Sequence, residues 1–106
     1  MITVTVSKKN SSYTEFVSRG HAGYAEEGQD IICAAVSALI ISTVNSLETL
    51  TKDHFRLEDK DGYVRILFPE ELSDGGKLLM DSLVLGLTEI EKSYSKRYLK
   101  VKVREV

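Results

Sequence analysis

Four side chains within one short segment have the types that thiol chemistry needs. They are His21, Asp30, Cys33 and Ser37, carried by Gly20-His21-Ala22-Gly23-Tyr24-Ala25 and Gly28-Gln29-Asp30-Ile31-Ile32-Cys33-Ala34-Ala35-Val36-Ser37. Cys33 is the only cysteine in the chain, so it forms no internal disulfide and its value is packing or reactivity. A thiolate is a nucleophile, and an imidazole that titrates near neutrality is the group to take its proton and return one to a leaving amine. Asp30 stands directly before a long apolar segment, where it reads as a helix N-cap. That places Cys33 in the first helical turn, where free N–H groups and the helix dipole favour an anion and hold an oxyanion. Asp30 is also placed to orient His21 as the third group of a triad. Ser37, four residues beyond Cys33, falls on the same helical face.

Each of these residues also has a plainer reading. Cys33 lies among Ile31, Ile32, Ala34 and Ala35, where a thiol serves as a small apolar side chain. His21 is then a loop histidine bonded to backbone, Asp30 a cap alone, and Ser37 a small residue where elements approach closely. A metal centre built from His21, Asp30, Cys33 and His54 has too few nitrogen and sulfur ligands for a stable zinc site. No metal is therefore expected, and His54 reads as a strand residue. The glycines fit neither a dinucleotide nor a phosphate-loop pattern, and no lysine follows at the helix start. No cofactor is expected, and residues 22–29, with Gly23, Tyr24 and Gly28, read as a flexible loop.

These residues need elements to position them. Ile2, Val4 and Val6 alternate with Thr3, Thr5 and Ser7 at the period of a half-buried strand, and Lys8 to Ser12 reads as a turn. Tyr13 to Arg19 is rich in aromatic and β-branched residues, which predicts a second strand antiparallel to the first and ending at Gly20. From Ile31 to about Thr51 there is no glycine or proline, and Ile32, Val36, Leu39, Ile40, Thr43, Leu47 and Leu50 recur at helical spacing. That helix is apolar on most faces, so a sheet on one side and a second helix or a partner subunit on the other would suit it. His54–Leu57 and Tyr63–Phe68 flank the hairpin signal Asp61-Gly62, and Pro69 closes the second of these strands. Leu79, Leu83, Leu87, Ile90 and Tyr94 mark a second helix over about Asp74 to Ser95, followed by a strand from Tyr98 to Val103. The expected fold is α/β of the α+β type, a mixed or mostly antiparallel sheet of about four to five strands with two long helices. Residues 1–106 are read as one domain.

Composition bounds the function. An apolar fraction of 42% with 28% charged residues is that of a soluble globular chain. No run is read as long enough to span a membrane, and the N-terminus lacks the features of a signal peptide. The expected location is the cytoplasm. A net charge of −2 speaks against non-specific nucleic-acid binding. The locally basic C-terminus, with Lys96, Arg97, Lys100, Lys102 and Arg104, reads as the solvated face of a strand.

The two segments that carry His21 and Cys33 resemble the signature of the Prp family, the ribosomal-processing cysteine proteases, and the order of elements is similar along the whole chain. The resemblance implies a homodimeric α/β protein that removes a short N-terminal extension from a bacterial large-subunit ribosomal protein. It implies Cys33 as nucleophile, His21 as base, Asp30 and Ser37 as residues lining the site, and the 22–29 loop as its cover. It also implies a substrate with an aromatic residue before the scissile bond and a small one after it. Two other classes stay open from the residues themselves. One is a non-catalytic ribosome-assembly or binding module with Cys33 as packing, and the other is a redox-sensing thiol.

Overall fold

The computed structural model describes residues 1–20, 27–94 and 97–106, with residues 27–30 and 94 described by backbone alone. The elements run β1 (Ile2–Lys9), β2 (Ser12–Arg19), α1 (Glu27–Leu50), β3 (Arg56–Lys60), β4 (Tyr63–Leu67), α2 (Asp74–Tyr94) and β5 (Leu99–Glu105). They form a five-stranded sheet in the order β3-β4-β2-β1-β5. The β1–β5 pair is parallel and the other three pairs are antiparallel, so the expected mixed α+β sheet with two helices is present.

Local chemistry sets the turns. Lys9 pairs with Ser12, so the first hairpin turns on Asn10 and Ser11 alone, both at positive φ. Two positive φ values match the right-handed twist of the flanking strands. Ser7 pairs with Glu15 but Lys8 with Tyr13, which leaves Thr14 as an extra residue in β2. Its hydroxyl donates to the Ser7 carbonyl at 3.1 Å. This bulge shifts the alternation, so Tyr13 and Phe16, three apart, are both buried on the same side.

The buried residues form one cluster. Val4, Val6, Phe16, Ile66 and Leu99 of the sheet meet Ile32, Val36 and Leu47 of α1 and Met80, Leu83 and Leu87 of α2. Both helices therefore cover one face of the sheet and leave the other open. They approach each other closely at Gly86, where an added Cβ would lie 3.2 Å from Leu39 Cδ1. The start of α2 is tied down by Ser73, whose hydroxyl accepts from the Gly76 N–H at 3.1 Å. Asp53, in the connection after α1, accepts from the Ser73 N–H at 2.9 Å and from its hydroxyl at 2.7 Å. Burial alone would raise the Asp53 pKa, but these hydrogen bonds outweigh it and hold the carboxyl below its ordinary value.

Several expected boundaries move. The hairpin strand β3 begins at Arg56, so His54 precedes it and is exposed, 3.9 Å from Glu70. The helix α1 begins at Glu27, so Asp30 is not its N-cap and Gly28 belongs to the helix rather than to a loop. Residues 22–26, with Gly23 and Tyr24, lie outside the described residues. The reading that no segment reaches membrane-spanning length is also corrected. Ile31–Leu50 is long and apolar enough by length and composition. Ile32, Val36, Ile40, Val44 and Leu47 of that segment nevertheless form a stripe buried in the common core.

Candidate active site

Between α1 and the β3–β4 hairpin lies an open cleft of about 650 Å³, a volume typical of ligand pockets. One wall is the face of α1 that carries Cys33, Ser37, Ile40 and Ile41. These positions recur at three- and four-residue intervals, so a single helical stripe faces the opening. The floor comes from Ile2, Ser18 and Gly20, and the far wall from Leu57, Asp59, Gly62 and Val64. Register explains that wall, since Leu57 and Asp59 pair with Ile66 and Val64 and so share the sheet face covered by the helices.

Cys33 is half-buried in this cleft, packed against the core yet reachable from solvent. Ser37, one turn further along, is exposed on the same cleft. With α1 starting at Glu27, Cys33 is the seventh helical residue, roughly 9 Å of helical rise beyond the first. Its own N–H lies within the helical ladder. The expectation that the free N–H groups of the helix start surround the thiol is therefore corrected, because the dipole effect fades within the first turn.

Gly20 ends β2 at φ 100 and donates its N–H to the Gly62 carbonyl at 2.9 Å. A Cβ on Gly20 would run into the Met1 carbonyl oxygen, so only glycine fits this joint. Gly20 also lines the cleft that Cys33 faces. The chain therefore leaves β2 toward His21 from a fixed point in the lining of the cleft. His21 itself lies outside the described residues, as does the side chain of Asp30. The structure thus brings together Cys33, Ser37 and the residue before His21. Sequence reasoning missed the hairpin wall, although the Asp61-Gly62 turn and the alternation of Leu57 and Asp59 were signals for it. Among the described residues no group of three His, Cys, Asp or Glu could hold a metal ion.

A lone accessible thiol on a helix whose inner stripe packs in the core, facing an open cleft beside a mixed five-stranded sheet, is an arrangement that suits a small cysteine peptidase. The family model "Cysteine protease Prp" matches residues 1–100, and the chain belongs to this family. The chain is 32% identical over 101 residues to the ribosomal processing cysteine protease Prp of Bacillus subtilis, covering 89% of this chain and 90% of that one. It is 30% identical over 98 residues to the protein of the same name from Staphylococcus aureus, covering 90% and 92%. A crystal structure of the S. aureus ribosomal processing protease Prp with a covalently linked product peptide superposes with a TM-score of 0.88 at 27% identity. That match covers 98% of this chain and 100% of the other. The protein is a cysteine protease by family.

Proposed function

We infer that this protein is a sequence-specific endopeptidase that removes the short N-terminal extension of a bacterial large-subunit ribosomal protein, with Cys33 as nucleophile and His21 as general base. One observation carries the reading: Cys33 and Gly20, the residue that leads into His21, line the same cleft. The Cys33 Sγ attacks the scissile carbonyl after His21 takes its proton, giving a tetrahedral intermediate. His21 then protonates the leaving amine, and the remaining thioester is hydrolysed by water. Ser37 borders the same opening, and Asp30, in the first turn of α1, is the residue proposed to line the site from that end. The part of the expected 22–29 loop that precedes α1, residues 22–26, is proposed as the cover that excludes water on closure. Asp59 and Asp61 flank Lys60 on the hairpin side of the cleft, and the net negative charge of the three favours a cationic peptide.

The same reading makes the protein a cytoplasmic homodimer. The thiol stays free in a reducing compartment. On α1, Ile31, Ile41 and Leu50 are 62%, 58% and 73% exposed, an apolar surface that a second copy would cover. A haloacetamide titration tests the nucleophile without ambiguity, because the chain has one cysteine. Cleavage should fall in proportion to alkylation and stop when Cys33 is fully modified. A fully alkylated protein that still cleaves would overturn the assignment.

A further inference from the structure

The sheet face turned away from the helices has a charge unlike the rest of the molecule. Strand register puts Arg56 and Lys60 of β3 on that face with Arg65 of β4 and Arg19 of β2. Lys100, Lys102 and Arg104 of β5 pair with Thr3, Thr5 and Ser7 of β1 and complete the same face on its other side. Only Glu15 and Glu58 oppose them, and both are bound to Arg65, at 2.5 and 3.0 Å. With Lys9 of β1, the face holds eight Lys and Arg but two Asp and Glu among the described residues, a net +6 within a chain whose total is −2. Among the described residues Arg56, Lys60, Lys100 and Lys102 form no ion pair. The whole-chain charge of −2, which speaks against nucleic acid, averages over two faces of opposite sign.

We propose that this open face docks single-stranded RNA through its phosphate backbone. Five strands make a surface about 20 Å wide, with cations on both flanks and the half-buried ring of Tyr63 between them. The Arg19 guanidinium sits 4.9 Å from the centre of that ring. Cations that follow the backbone and a ring on which bases stack are the two elements of sequence-tolerant single-strand binding. A flat sheet offers no helix or ribbon for a duplex major groove. The apolar side chains of the face, Val17 and Leu67, are half-buried within it and give lipid no wedge. Lys60 and Tyr63 also border the Cys33 cleft, but Arg19, Arg56, Arg65, Lys100, Lys102 and Arg104 do not, so a test on the β5 lysines stands or falls separately from the protease mechanism.

The test is fluorescence anisotropy with a labelled 20-nucleotide single-stranded RNA of mixed sequence, across a salt series, for wild type and Lys100→Gln/Lys102→Gln. Each phosphate neutralised on a single strand contributes a slope of about −0.7 in log K against log salt. Losing two should flatten the slope by about 1.4 and weaken binding roughly 25-fold at 0.1 M salt. Lys77→Gln/Lys92→Gln removes the same charge from the helical side and should bind like wild type, and unchanged melting temperatures show that all three proteins are folded. No RNA binding at 50 mM salt, equal losses in both double variants, or binding to duplex DNA or phosphatidylserine vesicles that matches RNA would each overturn the proposal.

Discussion

Replacing Gly20 by alanine tests how the fold leads the chain into His21, the proposed base for Cys33. At φ 100 a residue with a Cβ is strained, by about 1–3 kcal/mol. The new methyl also meets the Met1 carbonyl oxygen. Relieving that clash moves the backbone and weakens the 2.9 Å bond from the Gly20 N–H to Gly62, worth about 0.5–1.5 kcal/mol net. Together these give a loss of about 2–4 kcal/mol, a large part of a small domain's stability. Urea denaturation measures it directly. Gly62→Asn is the comparison, because φ 69 is the left-handed region that asparagine tolerates, and it should cost less than about 1 kcal/mol. Gly20→Ala should also lower peptide cleavage under conditions where the protein remains folded, because His21 is the next residue. A Gly20→Ala protein with stability within about 0.5 kcal/mol of wild type and unchanged cleavage would refute the role of this joint.

Three further outcomes follow from other parts of the structure. Phe16 is fully buried at the centre of the sheet, and Phe16→Ala should cost about 3–5 kcal/mol in a denaturant titration; a loss under 1 kcal/mol would mean that the core is not packed as described. The Asp53 carboxyl is held below its ordinary pKa, chiefly by Ser73 against the effect of burial, so its stabilisation is present above the unfolded value and lost as pH falls through the folded one. Asp53→Asn should therefore melt below wild type at pH 7 with the gap closing in acid, and a gap independent of pH would contradict this. His21→Ala should slow peptide cleavage by about two to four orders of magnitude if His21 is the base, and an unchanged rate would move proton transfer to another group.

The elements were legible where local chemistry is unambiguous. Asp61-Gly62 between two short β-rich runs specifies a hairpin, and the alternation from Ile2 to Ser7 specifies a strand with one face in the core. The start of α1 was not legible, because Asp30 after Gly28 imitates a cap after a loop while the helix begins at Glu27. His54 and Phe55 have strand-like neighbours, yet pairing begins only at Arg56, where β4 supplies a partner. The parallel pairing of β5 with β1 depends on how α2 crosses the sheet, and no local pattern records that. For the candidate site, spacing put Cys33 and Ser37 on one helical face, and both line the cleft because one helix carries them. The hairpin wall escaped because it is contributed by strands distant in sequence, and a cleft exists only once they pair. Net charge hides the arrangement for a related reason, as composition cannot show that β3, β4, β2 and β5 place their cations on one side.

The most direct test of the central claim is mass spectrometry of a large-subunit ribosomal protein carrying its N-terminal extension, after incubation with wild-type protein and with Cys33→Ala. A nucleophilic Cys33 in this cleft predicts cleavage at a single bond by the wild type and an intact substrate with Cys33→Ala. Cleavage by both proteins, or by neither, would contradict it.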